Sequence, residues 1–212
     1  MKKRILSVAL TLSMTAMMLA GCGSGSKEAS TEDLDEITLA IVGPQTGDNA
    51  EYGQSMKTAA QIAVDEWNEK GGVLGKQIKL VDYDDANSSE QAASIAEQIV
   101  GDPSISAVMG HFSSGVAMTA AEVYQEAGIA LVNGSAAHMD YAKIGDCIFR
   151  NNAIYTTDAN TMLQIMEYLG VEKFGVLNPN TDAGISVTTA VEEMLDRYGD
   201  KYAPQMVEPQ LY

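Results

Sequence analysis

Cysteine is scarce in this chain of 212 residues: Cys22 and Cys147 are the two it has. Cys22 closes a leader-like segment, so Cys147 is left without an internal partner and the fold has no disulfide to lean on. Histidine is as scarce, with His111 and His138 alone, and these two with Cys147 show none of the spacings of a metal site. No metal and no other cofactor is expected. Positive charge is also in short supply, 13 Lys and Arg against 29 Asp and Glu, a formal net charge of −16. A surface of that sign repels phosphate backbones, which argues against a nucleic-acid partner and against docking on anionic lipid through a basic patch. Its plainer effect is to keep an exported protein soluble. Reactive motifs are missing too. Ser113 has Gly115 after it, but His111 stands where an esterase elbow needs its first glycine. Gly71 to Lys76 precedes a strand instead of following one, and Gln77 replaces the Ser or Thr of a phosphate loop. A Ser, His and Asp inventory without such spacing points to no enzyme.

The leader itself has a recognisable order. Lys2, Lys3 and Arg4 are followed by an apolar run from Ile5 to Leu19 and then by small residues up to Cys22. That run is short for a membrane span and is interrupted by Ser7, Thr11, Ser13 and Thr15, so residues 1–21 read as a secretory signal peptide. Leu19-Ala20-Gly21-Cys22 resembles the bacterial lipobox, which implies lipidation of Cys22 and an extracytoplasmic, membrane-anchored location, at the cell surface or in a periplasm. Cleavage removes three positive charges and no negative ones, taking the formal charge from −16 to −19. Residues 22–36, rich in Gly, Ser and acidic side chains, read as a flexible tether.

With 46% hydrophobic residues, the remainder can bury a good core and begin a second. Ile37 to Val42 is a nearly continuous apolar run of strand length, as in a parallel sheet covered on both faces. A helix is predicted from Gly53, with Met56, Ala59, Ala60, Ala63, Val64 and Trp67 on its buried face and Gly71-Gly72 ending it. Ile78 to Val81 is a second strand, Ser88 and Gln91 match a capping box, and Ala92, Ile95, Ala96, Ile99 and Val100 form the next helical stripe. Ile105 to Met109 and Ile129 to Val132 are strands three and four, and Ile148-Phe149-Arg150 is an extended connection. A helix capped by Asp158 follows, with Met162, Ile165, Met166 and Leu169 inward. Lys173 to Leu177 is then a strand, Val187, Val191, Met194 and Leu195 mark a helix, and Met206 to Glu208 looks like a strand beginning.

Repeated strand-helix units need right-handed crossovers, which bring every strand-to-helix loop to one edge of a parallel sheet, where ligands bind. Val108 to Gly115 is the most informative of these loops. A strand there runs through Ser113 and Ser114 into a helix of Val116, Ala117, Ala120, Ala121 and Tyr124 that Gly128 ends. Amides at such a helix start lack intrahelical partners, and the helix dipole favours an anion there, so a carboxylate can be held without Lys or Arg. The competing reading is that the serines only cap the helix.

Ile41-Val42-Gly43-Pro44, Tyr52-Gly53, Gly71 to Gly75, Asp84-Asp85, Gly110-His111, Ala127-Gly128-Ile129 and Phe149-Arg150 together resemble the leucine/isoleucine/valine-binding proteins of bacterial ABC importers. The resemblance implies an α/β protein of the two-lobed periplasmic-binding-protein type I fold with parallel sheets, truncated after the start of the second lobe. Lobe 1 would occupy residues 37–152 and a partial lobe 2 residues 153–212. It implies an amino-acid ligand held between the lobes, an ABC permease as partner, and no catalysis. Ser114 matches the serine that holds the ligand carboxylate, with Ser113 beside it; Ser135 matches a residue making backbone contacts, and Tyr52 an aromatic near the ligand side chain. Ala137 stands where a threonine is usual, leaving its backbone N–H, and Ala183 replaces an aromatic of the second lobe. Asn87 and Ser113 take the places of a cysteine pair, and the acidic partner of the ligand ammonium falls outside the chain. A sensory lipoprotein of the same fold is the alternative use, with a non-functional fragment behind it. Unpaired strand edges and exposed core surface are expected of such a half, so the 212-residue chain is expected to be unstable or aggregation-prone and to bind ligand poorly.

Overall fold

The computed structural model describes residues 36–202, 204–207 and 210–211. The signal peptide, Cys22 and nearly all of the tether lie outside the described residues.

Five parallel strands form the main sheet: β1 (Glu36–Gly43), β2 (Gln77–Asp84), β3 (Ile105–Gly110), β4 (Ala130–Asn133) and β5 (Ile148–Arg150), in the order β2-β1-β3-β4-β5. Ile148-Phe149-Arg150 is thus a fifth strand and not merely a connection; it pairs Leu131, Val132 and Asn133 in register. Three residues are too few for periodicity to reveal a strand. Helices α1 (Ala50–Glu69), α2 (Ser89–Val100) and α3 (Ser114–Ala127) follow the first three strands. The path turns left from β1 to β2 and right thereafter, so right-handed crossovers send α1 to one face and α2 and α3 to the other.

The two faces differ. On the α2/α3 side, Ala40, Val108, Leu131 and Ile148 lie side by side across the sheet, each no more than 3% exposed, under Ala92, Ala96, Ile99, Ala117, Ala120, Ala121 and Tyr124. On the α1 side the row is Ile41, Met109, Val132 and Phe149, and exposure climbs along it from 3% at Ile41 to 40% at Val132 and 50% at Phe149. α1 packs mainly on β1 and β2. The expected buried face of α1 is correspondingly bare: Val64 is buried, Met56 and Ala60 are half-buried, and Ala59, Ala63 and Trp67 are exposed. α1 also begins at Ala50, earlier than Gly53. Gly53 is needed for another reason, since a Cβ there would come within 1.8 Å of the Pro44 carbonyl oxygen.

A second cluster is built from α4 (Tyr155–Tyr168), α5 (Asp182–Tyr198) and the short parallel pairs β6 (Lys173–Phe174) with β8 (Gln205–Met206) and β7 (Leu177–Asn178) with β9 (Gln210–Leu211). The predicted strand at Lys173 to Leu177 is therefore two pieces with a break at Gly175-Val176. Ala159, Leu163, Phe174, Ala190, Val191, Met194 and Tyr202 are buried together, and the Tyr202 hydroxyl donates to Asn160 Oδ1. α4 starts at Tyr155 with Ile154 as its cap, so Asp158 sits in the first turn; Leu163 faces inward, while Ile165 and Leu169 are exposed. No described helix is long and apolar enough to cross a membrane.

Candidate functional site

In the order β2-β1-β3-β4-β5 the chain reverses direction between β1 and β3, and a crevice opens where the loops after those two strands diverge. Both loops are represented there. Tyr52, more than half exposed, stacks on Phe112 with ring centroids 4.4 Å apart and planes 17° from parallel.

α3 begins beside this stack. Ser113 is its N-cap in extended conformation, yet its hydroxyl makes no capping bond; it donates instead to Asn87 Oδ1 at 2.6 Å. The first backbone bond of the helix runs from Ala117 N to Ser113 O at 2.9 Å, so the amides of Ser114, Gly115 and Val116 donate to no group among the described residues. The Ser114 hydroxyl likewise has no partner there, although the residue is only 4% exposed. Unoccupied donors at a helix N-terminus are a receptor for an anion. They border a cavity of about 270 Å³ lined by Asn87, Ser89, Ser113, Ser114, Gly115 and Val116 from one side and Thr181 and Ala183 from the other. Gly115 also borders a larger cleft of about 410 Å³, with Met118, His138, Met139, Asp140, Ile185, Ser186 and Thr189.

The other expected residues divide. Ser135 spends its hydroxyl on Phe112 O at 2.6 Å, with His111 O at 3.0 Å, and its N–H on Asn133 Oδ1 at 2.7 Å; its carbonyl oxygen accepts nothing among the described residues. Ala137 gives its carbonyl to Tyr155 N at 3.3 Å and keeps a free N–H. Tyr52, Ser135 and Ala137 line neither cavity; Ser113 and Ser114 line the smaller one.

Sequence reasoning gave no part in the site to the residues that set this geometry. Asn133, fully buried, accepts from Ser135 N and Ala136 N through Oδ1 and donates through Nδ2 to Gly110 O at 2.7 Å and His111 O at 2.8 Å. An Asn closing a strand before Gly-Ser is a turn signal that could have flagged it. Asp84 Oδ1 accepts from the amides of Gln45, Thr46 and Ala86, and Oδ2 from the Thr46 hydroxyl at 2.6 Å. Burial pushes its carboxyl up, but those bonds outweigh burial and hold it below the ordinary range. Burial, and then the charge of Asp85, raises the Tyr124 phenol well above its usual value. Gly110 has φ +136°, and a Cβ there would lie 2.1 Å from Val42 O, so only glycine lets β3 leave the sheet at this point.

Known proteins resemble this chain in sequence and fold. A Pseudomonas aeruginosa protein named for binding leucine, isoleucine, valine, threonine and alanine is 30% identical over 190 residues, covering 89% of this chain and 49% of its own length. The branched-chain amino acid transporter substrate-binding protein of Streptococcus pneumoniae, solved with isoleucine, is 27% identical with a TM-score of 0.72, covering 84% of this chain and 49% of that one. A solute-binding protein of an ABC transporter from Rhodopseudomonas palustris, solved with 3,4-dihydroxybenzoic acid, has the same fold at 17% identity and a TM-score of 0.74, covering 84% and 47%. The chain spans about half the length of these relatives. Its two-cluster α/β architecture with parallel sheets is the two-lobed periplasmic-binding-protein type I fold. Residues 36–209 match the periplasmic binding protein family, and the chain belongs to it.

Proposed function

We propose that this chain is part of an extracytoplasmic solute-binding protein that delivers branched-chain or related amino acids to an ABC permease. The observation that carries the reading is the set of free donors at the start of α3, the Ser114 hydroxyl and the amides of Ser114, Gly115 and Val116, beside a cavity. They would receive the ligand carboxylate, and the Ser113 hydroxyl, turned to Asn87, leaves them open. The Ser135 carbonyl is the nearby acceptor for an ammonium, the Ala137 N–H a further donor, and the Tyr52–Phe112 stack a wall for the aliphatic side chain. Residues 37–152 and 153–212 would be the two lobes. A ligand that touches both only when they are shut stabilises the shut form in proportion to that differential affinity. Binding of this kind forms and breaks no covalent bond. Upstream, residues 1–21 would be cleaved, Cys22 lipidated and residues 22–36 left as tether to the membrane, with no nucleic-acid partner for so acidic a surface.

Calorimetric titration of the whole solute-binding protein of which this chain is part, with leucine, isoleucine and valine, tests the reading. Saturable binding is expected, and Ser114→Ala should weaken it by about 1–3 kcal/mol, the value of a hydrogen bond to a charged group. Unchanged affinity in that variant would remove Ser114 from the site. Absence of heat with all three would overturn the ligand class.

A further inference from the structure

Beneath the candidate site, one carboxylate stands at the centre of a closed circuit. Asp85 and His111 are both 0% exposed, and His111 Nδ1 lies 2.7 Å from Asp85 Oδ2. The tautomer that donates to an Asp85 carboxylate is the one with the proton on Nδ1. The other oxygen, Oδ1, accepts from Asn87 N at 2.8 Å. Asn87 Oδ1 then takes the Ser113 hydroxyl at 2.6 Å, and Ser113 is two residues beyond His111, which closes the ring. The His111 carbonyl is held in turn by Asn133 Nδ2 and the Ser135 hydroxyl, so loops after β2, β3 and β4 all hang from this pair.

The circuit has something to hold. Ala86 and Asn87 have φ of +45° and +56°, in the left-handed region, which costs a residue with a Cβ conformational energy, more for Ala86 than for Asn87. The hydrogen bond from Asn87 N to the buried Asp85 carboxylate offsets part of that cost. Without it Asn87 would relax, and the Ser113 hydroxyl would be free to turn back and cap α3. It would then occupy an amide that the ligand needs.

We propose that Asp85 and His111 are positioning residues for ligand binding: without touching the ligand, they hold Asn87 and the His111 backbone so that the start of α3 stays uncapped and aimed at the cavity. This rests on the function proposed above. The test measures backbone amide exchange and leucine affinity on the whole chain for Asp85→Asn, His111→Leu and His111→Asn. In His111→Asn an amide nitrogen can stand where Nδ1 stands. Asp85→Asn and His111→Leu should raise exchange about tenfold at Ala117, Ser135 and Ala136, leave the amides of α1 unchanged, and weaken leucine about tenfold, with His111→Asn close to wild type. If His111→Leu does not fold, Asp85→Asn gives the same two readings. Folded variants with wild-type affinity, or an exchange increase spread evenly through α1, would overturn the proposal. If the wild-type chain takes no leucine, the exchange pattern still decides the positioning role.

Discussion

Asp84 and Asp85 are neighbours that tie down opposite sides of the crevice. Asp85 serves the loops after β2 and β3, and Asp84 gathers the loop after β1 through Gln45 and Thr46. The folded carboxyl of Asp84 titrates below its unfolded value because bonds from Thr46, Ala86 and Gln45 outweigh burial. Its contribution is therefore complete above the unfolded value, near pH 4, and fades as pH falls through the lower folded value. Asp84→Asn is expected to lower stability at pH 7 by about 1–2 kcal/mol, since an amide can still accept but cannot offer two charged oxygens. In urea titrations the gap between variant and wild type should narrow below about pH 4. A gap that persists unchanged at pH 3 would mean that charge plays no part.

Helix starts show what each element's sequence can and cannot reveal. Ser88, Ser113 and Thr181 are all residues that favour the cap position, and all three occupy it. Ser88 accepts from Gln91 N at 3.4 Å and Thr181 from Gly184 N at 3.2 Å, but Ser113 caps nothing. Ser88 was legible as a cap from its spacing to Gln91, and Ser113 as one of two candidates; Thr181 was read only as loop, and the cap read at Asp158 is Ile154 instead, so residue type alone does not decide the position. The diversion of the Ser113 hydroxyl was not legible, because it depends on Asn87, brought near from 26 positions away by the crossover. The same holds for burial. Of the apolar stripe of α2, Ala92, Ala96 and Ile99 are buried and Ile95 half-buried, while Val100 at its end is exposed; the stripe of α1 was equally readable, yet Ala59, Ala63 and Trp67 are exposed, α1 packing mainly on β1 and β2. Periodicity reports that a face is apolar, not that something covers it. Thr181→Ala should cost α5 about 1 kcal/mol, measured by urea unfolding followed by circular dichroism. No loss would show that the 3.2 Å bond contributes nothing.

At the scale of the molecule, the unequal coverage of the sheet governs solution behaviour. A parallel sheet is ordinarily packed on both faces, and here the row from Ile41 to Phe149 leaves cover as it passes beyond α1. Val132 and Phe149 sit beside each other on that row, and Ile62 and Trp67 are exposed on α1. Contiguous apolar surface of this sort drives self-association, and a formal charge of −16 opposes it only over the range that salt leaves unscreened. Raising the ionic strength should therefore increase light scattering by the wild-type chain. Val132→Thr combined with Phe149→Thr keeps strand-compatible residues while removing most of the exposed apolar area. That double variant should scatter less and bind less of a hydrophobic dye at the same salt. Its urea midpoint should stay near wild type, since substitutions at exposed positions usually shift stability by no more than about 0.5 kcal/mol each. A loss of several kcal/mol would instead mean that these side chains are packed in solution, and that this face of the sheet is covered there.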